Sequence, residues 1–219
     1  MSLDLKYLGI IESKAVYRNL PASQLVEHAL ERKEGVLSNT GALVVNTGKY
    51  TGRSPDDRFI VDEPSIHDEI AWGKVNVPIS ADKFNKIFDK MRAYLQNREL
   101  FVFDGFAGAD KKYRIGVRVV NELASQNMFM HQLLLRPTEA ELASFASDFT
   151  IIAVPGLKCI PQADGVRSEA AIIISFERKL VLVVGSQYAG EIKKSIFSVM
   201  NYILPKKGVF SMHCSANVG

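Results

Sequence analysis

Three short apolar runs, Phe149–Val154, 170–176 and Leu180–Val184, constrain this chain more than any other feature. Each is far below the ~20 consecutive apolar residues a membrane-crossing helix needs. Each has the length of a strand buried on both faces. Glu177, Arg178 and Lys179 separate the last two, which predicts a hairpin and therefore an antiparallel pair. Around these runs the apolar period changes from 2 to 3.6. Pro21 opens a predicted helix carrying Leu25, Val26, Ala29 and Leu30, and Gly35 is expected to end it. Ser80 is placed to cap a helix with Phe84, Ile87, Phe88, Met91 and Leu95 along one face. Residues 121–135 predict a third helix with Leu123, Met128, Met130 and Leu134 inside, and Thr138 with Glu141 has capping-box spacing for a short fourth. A last helix follows Gly190 and is expected to stop at Pro205.

Further strands are predicted at 42–45, at Arg58–Val61, at 100–103 and at 114–120. The last alternates Arg114, Gly116 and Arg118 with Ile115, Val117 and Val119, a half-buried pattern. Strands alternating with helices define an α/β domain, and the hairpin makes its sheet mixed. Residues 1–219 are expected to form one domain, without repeats or a Pro- or Ser-rich linker. Phe210, Met212, Cys214, Ala216 and Val218 alternate with polar residues, so a terminal strand with one apolar face is expected. A strand ending the chain at Gly219 reads either as a C-terminal edge strand or as a cut at a domain boundary.

Lys and Arg exceed Asp and Glu by 27 − 24 = 3. That excess does not argue for nucleic acid, though local basic clusters can hold small anions. Two cysteines, Cys159 and Cys214, make no disulfide framework. Residues 1–10 lack the order of a signal peptide. A cytoplasmic protein with no membrane partner is expected, its oligomeric state left open.

Three clusters carry residues suited to chemistry. Residues 47–58 hold Gly48, Lys49, Gly52, Arg53 and Arg58 between two strands. Glycines admit a ligand close to the backbone, and guanidinium forks match carboxylate or phosphate. A polar turn with surface arginines is the plainer reading of the same residues. The pattern G-x-x-x-x-G-K-[ST] of a phosphate loop is absent from the chain. Residues 185–194 form a strand-to-helix turn with Tyr188, Gly190, Lys193 and Lys194, at a position favoured for ligands in open α/β sheets. Ile192, Ile196, Val199 and Ile203 make the buried stripe of that helix. Lys193 and Lys194 lie about 100° and 200° round from Ile192, so both can leave the core. Cations in a first helical turn oppose the helix dipole, and a neighbouring anion would justify them. His213, on the polar face of the terminal segment, is a candidate metal ligand, although a lone histidine is more often a plain surface residue.

Taken together, Thr51-Gly52-Arg53-Ser54-Pro55, Tyr188-Ala189-Gly190-Glu191-Ile192-Lys193-Lys194, Asn201-Tyr202-Ile203-Leu204-Pro205 and Ser211-Met212-His213-Cys214-Ser215-Ala216-Asn217-Val218-Gly219 resemble ATP-dependent phosphoenolpyruvate carboxykinase. The similarity runs in register from about Gly35 to Gly219 and includes Arg136-Pro137 and the stretch around Lys158-Cys159. Ala189 stands where the family usually has glycine. The resemblance implies the N-terminal lobe of a two-lobed α/β enzyme whose nucleotide-binding lobe lies beyond Gly219. It implies a gluconeogenic carboxy-lyase reaction, oxaloacetate plus ATP giving phosphoenolpyruvate, CO2 and ADP, with the lobe inactive alone. Arg53 would hold a substrate carboxylate and the nascent CO2, and Tyr188 and Gly190 would line the substrate pocket. Lys194 and His213 would ligate Mn²⁺ and adjoin the nucleotide, Lys193 would place charge near the transferred phosphoryl group, and Mg²⁺ would accompany ATP. A lysine ligand must be neutral, and burial, Arg53, Lys193 and the metal would all lower its pKa. The alternative is a non-enzymatic anion-binding or assembly domain derived from this fold. A Gly-Lys-Thr loop encoded after Gly219 would select the enzyme.

Overall fold

The computed structural model describes residues 3–215 and 217–219. In chain order the strands are β1 (Ala15–Arg18), β2 (Gly35–Leu37), β3 (Leu43–Val45), β4 (Arg58–Val61), β5 (Pro78–Ile79), β6 (Glu99–Ala107), β7 (Ile115–Asn121), β8 (Phe149–Val154), β9 (Ala171–Ser175) and β10 (Leu180–Val184). The helices are α1 (Ala22–Glu31), α2 (Ala81–Leu95), α3 (Ala124–Leu133), α4 (Glu139–Ala143), α5 (Pro161–Asp164) and α6 (Gly190–Lys206). Eight strands form one sheet in the order β1-β6-β7-β8-β10-β9-β4-β5, while β2 and β3 pair separately. The large sheet is mixed, antiparallel at β6–β7 and β9–β10 and parallel at its other pairs.

Period 2 divides each central strand between two cores. Ile152, Val154, Leu182 and Val184 face the α2 stripe of Phe84, Ile87, Phe88, Met91 and Leu95. Ile151, Ala153, Val181 and Val183 face Ile192, Ile196 and Val199 of α6 and Met130 of α3. Both faces are therefore covered, which is why β8, β9 and β10 are buried at every register position and apolar at all but Thr150 and Ser175. Ser80 accepts a hydrogen bond from the Lys83 N–H, and Thr138 and Glu141 form the reciprocal capping box at α4. The β9–β10 hairpin forms as expected, and the buried Glu63 carboxylate accepts from the Phe176 and Glu177 N–H groups at its turn.

Several expectations are corrected. Helix α1 ends at Glu31 because Lys33 takes the left-handed conformation, φ 58°, so Gly35 opens β2 instead of closing the helix. Residues 115–120 do not lie half in solvent, since every residue of β7 is buried, and Arg114 precedes the strand. Arg118 tolerates this because Asp104 lies directly opposite in the antiparallel register. In the third helix Asn121 belongs to β7, and the buried positions are Ala124, Gln126, Asn127 and Met130. Leu123, Met128 and Leu134 are only half-buried. Pro205 lies inside the last turn of α6, which ends at Lys206. The expected terminal strand is not formed at residues 209–215 or 217–219, where no neighbouring strand offers a ladder. Ala216, part of that alternation, lies outside the described residues, as do Met1 and Ser2. Among the described residues no helix is long and apolar enough to cross a membrane.

Candidate functional site

Sheet direction brings the first two clusters together. Because β9 runs antiparallel to β10 and parallel to β4, the end where β10 finishes is the end where β4 and β9 begin. The turn 185–189 leaving β10, the segment 168–170 entering β9 and the loop 46–57 entering β4 therefore meet at one edge. Gly185 has φ 76°, and a Cβ there would lie 2.5 Å from the Glu169 carbonyl oxygen, so glycine alone permits this crossing. Tyr50 and Ser168 share a hydrogen bond of 3.2 Å, and the Lys158 ammonium donates to the Gly185 carbonyl at 2.8 Å. The Ser186 and Gln187 carbonyls both accept from the buried Gln126 amide, at 3.2 and 3.1 Å, which fixes the turn from below.

From this edge α6 begins. Glu191 in its first turn is fully buried and accepts the Ser54 N–H at 2.5 Å, tying the Arg53 loop to the helix. Arg58, at the first position of β4, donates to Ser198 Oγ at 2.5 Å and reaches the Lys194 carbonyl at 3.5 Å. Arg53, Arg58 and Lys194 thereby border one cavity of about 430 Å³, with Phe197, Ser198 and Asn201 along its α6 wall. Among the described residues none of these three cations has an ion-pair partner within 4.0 Å. The electrostatic consequence is visible in two groups. The Lys194 pKa is lowered by burial first, then by Lys193, Arg53 and Arg58. The Arg58 pKa is lowered by burial and by Arg53, against an opposing pull from Glu191. Replacing Lys193 by alanine is expected to raise the Lys194 pKa part of the way to its ordinary value. The pH titration of Lys194 Nζ by NMR checks this, and an unmoved midpoint would leave burial, Arg53 and Arg58 as the causes.

The other sequence-selected residues sit around the same helix start. The Tyr188 ring packs so closely on Gly190 that a Cβ there would lie 2.3 Å from a ring carbon. Tyr188 and Gly190 line a second cavity of about 570 Å³, between the β2–β3 ribbon and α3. Ala189 has φ −61° and ψ −20°, a conformation open to any residue, so glycine is not required there. Lys193 lies about 100° round the helix from Lys194 and borders a different cavity. Its Nζ lies 2.7 Å from Nε2 of the exposed His213, whose ring meets Phe197 edge-on at 5.6 Å. Thus Arg53 and Lys194 share a cavity, Lys193 and His213 pair directly, and Tyr188 and Gly190 border a neighbouring cavity.

Sequence reasoning left Arg58 without a role and passed over Glu191, Ser198 and Gln126. One signal was available for Glu191. It lies beside the Ile192–Ile196–Val199 stripe and four residues before the buried Ser195, so a slightly wider stripe includes it. For metal binding, the nitrogen donors Lys194 and His213 fit Mn²⁺ better than Mg²⁺, which prefers oxygen. In the structure His213 Nε2 pairs with Lys193 while Lys194 borders the cavity with Arg53, and no group of three His, Cys, Asp or Glu side chains suited to a metal occurs among the described residues.

A mixed sheet between two helical layers, with a cavity bordered by three cations between β4 and α6, defines an α/β lobe. The phosphoenolpyruvate carboxykinase family, in its ATP-dependent form, matches residues 14–219, and the chain belongs to that family. It is 58% identical over 217 residues to a protein of Caldanaerobacter subterraneus subsp. tengcongensis named phosphoenolpyruvate carboxykinase (ATP), covering 99% of this chain and 42% of that protein. It is 59% identical over 215 residues to phosphoenolpyruvate carboxykinase (ATP) 1 of Moorella thermoacetica, covering 98% and 41%. The homonymous protein of Geobacillus kaustophilus is 56% identical over 211 residues, covering 96% and 40%. The chain thus spans about two-fifths of the length of the curated relatives it matches.

Proposed function

We propose that this chain is the N-terminal, substrate- and metal-binding lobe of an ATP-dependent phosphoenolpyruvate carboxykinase, forming one domain and depending on a nucleotide-binding lobe for turnover. The observation that carries the reading is the cavity where Arg53, Arg58 and Lys194 present positive charge without an ion-pair partner among the described residues. Like charges gathered at one cavity repel one another, and an anion bound among them relieves that repulsion. Oxaloacetate supplies two carboxylates, and its decarboxylation leaves an enolate. Fixed cations aimed at that developing charge stabilise it without reorganisation. The Arg53 guanidinium would bind the carboxylate that departs as CO2. Tyr188 and Gly190 would border the substrate from the adjoining cavity, and Lys193 would place charge near the phosphoryl group accepted by the enolate oxygen.

Lys194 and His213 would hold Mn²⁺, with further ligands from outside these residues. When bound, the ion supplies Lewis-acid polarisation of substrate and phosphoryl oxygens. Mg²⁺ would enter with the phosphates of ATP. The lowered Lys194 pKa favours the neutral amine that such ligation needs. The reading includes a cytoplasmic, gluconeogenic role. It is tested by turnover. The full-length protein is expected to convert oxaloacetate and ATP to phosphoenolpyruvate, CO2 and ADP, whereas residues 1–219 alone are expected to show no nucleotide-dependent turnover. Activity of the isolated chain would refute the dependence on a second lobe, and an inactive full-length protein would refute the enzyme.

A further inference from the structure

Glu191 is fully buried, yet only one of its carboxylate oxygens has a partner. Oε1 accepts the Ser54 N–H at 2.5 Å, and Oε2 makes no hydrogen bond in the structure. A buried acceptor left half-satisfied is destabilising on its own account, so its retention calls for a return elsewhere. The surroundings supply one. Ser54 follows Arg53 directly, and its own hydroxyl donates to Asp57 at 2.7 Å, closing the turn that leads into β4. Glu191 precedes Lys194 by three residues on the same helical turn. One hydrogen bond therefore joins the loop bearing Arg53 to the helix bearing Lys194, across 137 residues of sequence. The carboxylate lies in the first turn of α6, where the helix dipole favours an anion and partly offsets Lys193 and Lys194.

We propose that Glu191 is a positioning residue that fixes Arg53 relative to Lys194 by fastening the 52–54 backbone to the start of α6. It touches no substrate and acts through Ser54. The catalytic consequence rests on the reading of the cavity as the oxaloacetate site, while the structural consequence does not. Misplacement of a binding group by about 1 Å is enough to cost an enzyme on the order of 10²-fold.

Two measurements separate these levels. In the 219-residue chain, the Ser54 amide is expected to exchange with solvent about tenfold or more faster in Glu191→Ala than in wild type. In Glu191→Gln, which keeps an acceptor oxygen in place, it should stay within about twofold, and β10 amides should be unchanged in both variants. In the full-length protein, Glu191→Ala is expected to raise KM for oxaloacetate about tenfold or more with little change in KM for ATP, and Glu191→Gln to recover most of the loss. An unchanged Ser54 exchange rate in Glu191→Ala overturns the proposal. So does equal impairment by both variants, or a parallel rise in both KM values. If wild-type full-length protein turns over no oxaloacetate, the carboxykinase reading fails while the exchange result still decides the role of Glu191.

Discussion

Arg53→Ala in the full-length protein is expected to lower kcat/KM for oxaloacetate by about 10²–10³-fold, the range seen when one preorganised donor to a developing anion is removed. Nucleotide affinity should be nearly unchanged, because the proposed function assigns the residue to the carboxylate side of the reaction. Arg53→Lys should recover only part of the loss. An ammonium restores charge but not the planar two-pronged contact a carboxylate uses. Two features of the site set the size of the effect. Arg53 is exposed on its loop, so its removal leaves no hole in the core and the fold should survive. It also contributes to lowering the pKa values of Arg58 and Lys194, so its loss should let both rise. Steady-state kinetics with each substrate varied in turn, beside a thermal melt of the variant, checks the kinetic effects and the survival of the fold. Near-normal turnover would remove Arg53 from the chemistry. A collapsed melt would mean that the loop, and not the guanidinium, had been lost.

The parts of the fold that sequence discloses are those in which the signal is local. Runs such as Leu180–Val184 declare a doubly buried strand by composition alone, and Ser80 or Thr138 declares a helix start by one side chain and one N–H. Pattern reasoning fails where the deciding partner is distant. Arg118 looks like the wet face of a strand until Asp104 is known to sit across the ladder. Strands β1 and β5 have no strong pattern and exist because β6 and β4 offer parallel edges. The terminal alternation from Phe210 has a strand period but no neighbour to pair with in the described residues, and a period without a ladder does not make a strand. The candidate site divides in the same way. Arg53, Tyr188, Lys193 and Lys194 stand in compact motifs and were accessible by resemblance. Glu191 and Arg58 matter through contacts made across 137 and 140 residues, which no spacing rule reports.

Asp104→Ala is expected to cost about 3–5 kcal/mol of stability, the loss typical when one member of a buried ion pair is removed. The Asp104 side chain is completely buried and serves two arginines. Arg118 Nε and Nη2 donate to its two oxygens at 2.7 and 2.8 Å, and Arg18 Nε donates to Oδ2 at 2.8 Å. Burial acts to lower the Arg118 pKa, but hydrogen bonds and the charge of Asp104 outweigh it, so the guanidinium sits above its ordinary value. Without Asp104 that balance is lost. Arg18, partly exposed, can turn to water; Arg118 cannot. The variant is therefore destabilised mainly by one stranded charge in β7. The double variant Asp104→Leu/Arg118→Met tests this directly, because it removes both the orphan and its cause. It should be markedly more stable than Asp104→Ala, since buried pairs replaced by apolar residues of similar volume are often nearly neutral. Chemical denaturation of the two variants beside wild type decides the matter. If the double variant is no better than Asp104→Ala, the loss arises from broken β6–β7 packing and not from the uncompensated guanidinium.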